Sequence, residues 1–140
     1  MGMKYLLDTN ILSEPTKPQP NQHVLDRLGQ YNGQYCTAVT VWHELNYGVA
    51  RMADSRRKQG LLTYLKSLEQ GGLIILPYEK NAGLWLAQER GRLAKQGVII
   101  PIMDGEIAAI AATCKLVLVT RNVNDFTNYD ELLVQNWFVA

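Results

Sequence analysis

Leu116-Val117-Leu118-Val119-Thr120 is uniformly apolar until its last residue, then runs into the polar segment Arg121-Asn122-Val123-Asn124-Asp125. Successive side chains of a strand point to opposite faces, so a strand without polar alternation is buried on both sides. That is the mark of a parallel sheet covered by helices. Its polar tip belongs to the carboxyl edge of the sheet, where folds of this class collect their ligands.

The pattern recurs near the beginning of the chain. Tyr5-Leu6-Leu7 is a short apolar run that ends at Asp8-Thr9-Asn10, small polar residues that favour turns and helix caps. Between these two strands the periodicity alternates. After the breaks at Pro15, Pro18 and Pro20, His23 to Leu28 has the spacing of a short helix before Gly29, and Gln34-Tyr35-Cys36-Thr37 reads as a brief strand. Val41, Leu45, Val49 and Met52 then recur at helical spacing, with Thr37 or Thr40 as the expected N-cap and Glu44 beside the apolar stripe.

Leu61 to Leu65 resumes a helical pattern that Gly71-Gly72 stops, and Leu73-Ile74-Ile75-Leu76 predicts a third strand. Glu79 to Lys95 predicts a helix terminated by Gly97, and Asp104 is expected to open the Ala-rich helix Ile107 to Ala112. Strands alternating with helices predict an α/β fold: one domain over 1–140, with a central, mostly parallel sheet flanked by helices. A chain of 140 residues with 47% apolar content is large enough for one continuous core.

Charge says little about a partner, because 14 basic residues against 13 acidic ones leave a net charge of +1. Cys36 and Cys114 lie far apart, without a CxxC partner, and are expected to be buried free thiols in a reducing compartment. The N-terminal apolar run is too short for a signal peptide, and no stretch reaches the roughly 20 apolar residues of a membrane span. A cytoplasmic location is expected. His23 and His43 have no second histidine or cysteine at metal-ligand spacing, which argues against zinc.

Four acids stand out by position. Asp8 and Asp125 follow strand tips, Asp104 starts a helix whose preceding loop faces the same edge, and Glu44 lies early on another helix. A doubly wound fold brings such positions to one rim. Carboxylates forced together repel, and a hard divalent ion such as Mg²⁺ relieves the repulsion through oxygen ligands. Such a centre can activate water and stabilise charge on a phosphodiester under in-line attack. Asn10 and Thr120 are placed to orient a carboxylate or a water, and Arg121 to meet a phosphate. Arg51, with Arg56, Arg57 and Lys58, forms a basic segment that offers RNA contacts or simply a solvated helix surface.

Each acid taken singly has a plainer explanation: Asp8 and Asp125 as turn residues, Asp104 as an N-cap, Glu44 as an exposed helix charge. Their shared placement favours the site.

Leu6-Leu7-Asp8-Thr9-Asn10-Ile11-Leu12-Ser13, Glu44-Leu45 with Gly48, Asp104-Gly105-Glu106-Ile107-Ala108-Ala109, and Val119-Thr120-Arg121-Asn122 with Asp125-Phe126 follow one another in order. Together they resemble the PIN-domain family, in particular the VapC-like toxins of bacterial toxin–antitoxin pairs. The resemblance spans Leu6 to Phe126. It implies an endoribonuclease that hydrolyses RNA with Mg²⁺ or Mn²⁺, is inhibited by a small antitoxin, and forms a homodimer. It also implies that Asp8, Glu44, Asp104 and Asp125 are the catalytic and metal-binding acids, with Asn10 and Thr120 in support; Asp130 lies near the fourth acid.

Three other readings compete. A catalytically silent PIN-type binding module would keep the fold without the reaction. An aspartate-nucleophile phosphatase wants a second acid two residues after the first, where this chain has Asn10. A phospho-receiver wants paired acids at the first strand and an aspartate after the middle one, where Pro77-Tyr78 stands.

Overall fold

The structure, a computed structural model, describes residues 2–140. Among them, strands β1 (Tyr5–Leu7), β2 (Tyr35–Ala38), β3 (Ile75–Leu76), β4 (Val117–Val119) and β5 (Val134–Gln135) form one sheet in the order β3-β2-β1-β4-β5. Every pairing is parallel. The helices are α1 (Thr9–Ser13), α2 (Gln22–Gln30), α3 (Val39–Ala50), α4 (Arg56–Gln70), α5 (Lys80–Lys95) and α6 (Ile102–Thr113), with 3-10 turns at Glu14–Thr16 and Val123–Phe126. This is the expected α/β architecture.

The two strands that flanked the sequence argument lie side by side: Tyr5, Leu6 and Leu7 pair with Val117, Leu118 and Val119. All three β1 residues are buried, as are Leu118 and Val119, so helices cover both faces of the sheet centre. Truncating such a leucine to alanine costs about 2–5 kcal/mol. Chain order reverses between β1 and β4, with β2 and β3 on one side and β5 on the other. The tips of β1 and β4 therefore flank the topological switch point, the crevice in which open α/β sheets bind ligands.

Several expectations are corrected. Helix α3 starts at Val39 after Ala38, and neither predicted threonine caps it. Thr37 belongs to β2 and donates to the Leu7 carbonyl at 2.7 Å, while Thr40 donates to Glu106 at 2.9 Å. Helix α6 begins at Ile102 after Pro101, so Asp104 lies inside its first turn and does not open it. Helix α2 runs through Gly29 to Gln30. Cys36 is buried, its thiol pushed up to about 12 by burial, but Cys114 is exposed just past the end of α6.

Two details fix the geometry around the sheet edge. Gly105 lets α6 approach α5, since a Cβ there would lie 2.8 Å from Leu86 Cδ1. Tyr5, Tyr31 and Trp137 form an aromatic cluster with ring centroids 4.8 to 5.5 Å apart, tying β1 to α2 and to the segment after β5.

Candidate active site

The site grows from Asp8, the first residue past β1. Its backbone N–H continues the ladder to the Val119 carbonyl at 2.9 Å, which fixes it against the end of β4. Its side chain caps α1: Oδ1 accepts from the Thr9 N–H at 2.7 Å. Oδ2 accepts from the Thr120 hydroxyl at 2.8 Å and from Asn10 Nδ2 at 3.4 Å. Asp8 is only 7% exposed, yet both its oxygens are bonded.

Asn10 and Thr120 act as a brace between the two strand tips. Asn10 Nδ2 also donates to the Thr120 hydroxyl at 3.3 Å, and Asn10 Oδ1 accepts from the Arg121 N–H at 2.9 Å. The Asn122 N–H donates to Thr120 Oγ1 at 3.1 Å. Thr120, fully buried, is itself held by its own N–H on the Gln135 carbonyl at the end of β5.

Glu44 reaches the same edge from α3, where Thr9 donates to its Oε2 at 3.3 Å. Asp104 arrives from the first turn of α6. The hydrogen bond from Thr40 on α3 to Glu106 on α6 ties these two helices together two residues from Asp104. Asp125 sits in the 3-10 turn after β4, itself exposed, with its neighbour Phe126 buried as the anchor.

The four acids lie near enough for their charges to act on one another. Burial raises the Asp8 carboxyl above the usual carboxylate range against the pull of its three hydrogen bonds, and the charge of Asp125 raises it further. Glu44 is raised by burial and by the charges of Asp8 and Asp104, Asp104 by burial and by Asp8 and Asp125. Among the described residues, no lysine or arginine forms an ion pair with any of these acids. Among the described residues His43, next to Glu44, opposes the repulsion there, with the smallest of the effects on that carboxyl; Asp8 and Asp104 have no such opposing charge.

That all-oxygen donor set fits a hard divalent cation. Among the described residues, no three His, Cys, Asp or Glu side chains close around a point tightly enough to hold an ion by themselves.

Other sequence-derived candidates sit less centrally. The backbone of Arg121 joins the brace, but its guanidinium lies over the Phe138 ring, 4.6 Å from the centroid. Arg51 stacks over Tyr47 at 5.6 Å and lines a cleft beside Glu44. Asp130 is turned to Arg92, 3.3 Å away. Sequence reasoning missed Thr9 as the partner of Glu44, and Thr40 with Glu106 as the clamp between α3 and α6. Glu106 lay inside a recognised motif, but nothing in its spacing announced Thr40.

The chain is 35% identical to Toxin FitB of Neisseria gonorrhoeae, the match covering 94% of this chain and 97% of that protein. It is 31% identical to Ribonuclease VapC2 of Haemophilus influenzae, over 96% and 98% of the two chains. Among solved structures, FitAcB from Neisseria gonorrhoeae superposes with a TM-score of 0.85 at 30% identity, covering 97% of this chain and 99% of that one. No protein-family profile matches.

Proposed function

The chain belongs to the VapC-like PIN-domain family of ribonuclease toxins and is an endoribonuclease, and we propose that Asp8, Glu44, Asp104 and Asp125 form its catalytic centre around Mg²⁺ or Mn²⁺. The observation that carries this reading is the buried Asp8, fixed by Thr120 and Asn10 at the switch point and repelled by acids from three other elements.

When bound beside these carboxylates, a divalent cation would supply the charge that neutralises them, acidifies water and stabilises negative charge on the phosphodiester as its leaving oxygen departs. The protein's own part is positioning. With Thr120 and Asn10 on Oδ2 and Thr9 on Oδ1, Asp8 keeps one oxygen lone pair free in a fixed direction. Glu44, held by Thr9, and Asp104, on a helix packed closely on α5, meet it from the sides. Asp125 adds negative charge at the exposed rim. An Asp8 so heavily bonded has the posture of a ligand rather than of an attacking nucleophile, which disfavours the phosphatase reading.

The fold, the site and a relative named as a toxin together support the role of toxin in a toxin–antitoxin pair, with a small cognate antitoxin as partner. The chain acts as a homodimer in the cytoplasm on this reading. Among the described residues, no helix is long and apolar enough to cross a membrane.

The test is cleavage of a mixed cellular RNA pool by the purified chain with Mg²⁺ or Mn²⁺, with chelator, and with Asp8→Asn. Cleavage that disappears in both controls is the expected result. Cleavage that persists with chelator would overturn the metal assignment, and no cleavage in any arm would favour a silent binding module.

A further inference from the structure

Next to Glu44 a cleft of about 400 Å³ opens between α1, α3 and α4. Thr9 and Glu44 form the end that it shares with the acidic centre, and Leu45, Val49 and Leu61 contribute an apolar floor. Three cations from three elements line it: Lys17 after the first 3-10 turn, Arg51 at the end of α3, and Arg57 in the first turn of α4. All three are exposed, and among the described residues none is ion-paired. Lys58, next in sequence, is different: it is 3.7 Å from Asp54, donates to the Met52 carbonyl and does not line the cleft.

Unpaired cations converging beside four acids have a direct physical use. A phosphodiester seated at the acids is one link of a polyanion, and its neighbouring phosphates need positive charge where the acidic charge ends. Single-stranded RNA adds exposed base faces that pack on apolar or aromatic surface. We propose that this cleft seats the RNA strand on one side of the scissile phosphate, Lys17, Arg51 and Arg57 holding backbone phosphates while the floor of Leu45, Val49 and Leu61 receives a base. The inference rests on the ribonuclease reading and adds to it a direction for the strand: from the acids past Glu44 into the groove between α3 and α4.

The test measures the salt dependence of binding to a single-stranded RNA oligonucleotide. The full chain carries Asp8→Asn to preserve the probe, and is compared with and without Lys17→Gln, Arg51→Gln and Arg57→Gln together. Each phosphate contact contributes about 0.7 to the slope of log affinity against log salt on single strands, so losing three should flatten it by about 2. A control removing the same charge from α5, Lys80→Gln with Arg90→Gln and Lys95→Gln, should leave the slope unchanged. An unchanged slope in the cleft variant, or equal flattening in both, would overturn the proposal. So would a cleft variant that keeps its RNA slope but loses binding to an acidic amphipathic peptide, which would make the cleft a protein-docking surface. Cleavage is scored separately with Asp8 intact: a chain that cuts nothing, yet whose cleft variant shows the flattened slope, retains the RNA subsite and loses the nuclease.

Discussion

The Thr120 hydroxyl donates to Asp8 Oδ2 at 2.8 Å, joining residues 112 positions apart at the tips of two neighbouring strands. The hydroxyl is completely buried, and it lowers the proton affinity of a carboxyl that burial raises. Thr120→Val keeps the shape and removes the donor. It should destabilise the chain by about 1–3 kcal/mol in a denaturant melt, the usual cost of a lost buried hydrogen bond to a charge. It should also move the pH–activity profile upward. Thr120→Ser should restore the profile, which a purely structural role would not require.

Asp104 makes no side-chain hydrogen bond among the described residues, so its charge is repelled without compensation. Asp104→Asn should therefore raise the melting temperature in chelator while abolishing cleavage. It should also shrink the increase in melting temperature produced by Mg²⁺, because an amide supplies no ligand charge. A variant with wild-type cleavage would remove Asp104 from the site.

The pH dependence of stability has a defined sign. Asp8, Glu44 and Asp104 all titrate above their ordinary values of 3.8, 4.5 and 3.8, so through that window the folded chain binds more protons than the unfolded one. In chelator, their contribution is therefore greatest in acid and is lost as pH rises through the raised values. Glu89 opposes the trend: Arg92 holds its carboxyl low, and its contribution is lost as pH falls. Thermal melts of wild type and Asp104→Asn across pH 4 to 7 should diverge as pH rises, by an amount that Mg²⁺ reduces. Cleavage should increase over the same interval.

Asp125 and Asp130 are close in sequence but differ in role. Asp125 raises the proton affinity of Asp8 and Asp104, whereas Asp130 pairs with Arg92 at the surface. Asp125→Asn should lower kcat, and Asp130→Asn should leave it unchanged while costing at most about 1 kcal/mol of stability, as exposed ion pairs do. The reverse pattern would exchange their assignments.

Much of this was legible in the sequence because burial on both faces writes itself as unbroken apolar runs. Tyr5-Leu6-Leu7 and Leu116 to Val119 announced the sheet centre, and their polar tips announced the rim on which Asp8 and Thr120 meet. Strand β5 is two residues long and α1 only five, too short for either periodicity to register. The link between Thr9 and Glu44, and the clamp of Thr40 on Glu106, depend on how α1, α3 and α6 are rotated against one another. Spacing along one helix does not encode that rotation. Cys114 read as buried because apolar residues surround it in sequence, but it falls just past the helix end, where the chain turns outward.

The pairing of β1 with β4 also has a consequence in time. Asp8 precedes Thr120 by 112 residues, and the ladder between their strands cannot form until β4 has left the ribosome. Contacts of such separation close late in folding. Until β4 emerges, Asp8 lacks the hydroxyl that orients its carboxylate, so the brace between the two strand tips is among the last parts of the fold that a growing chain can complete.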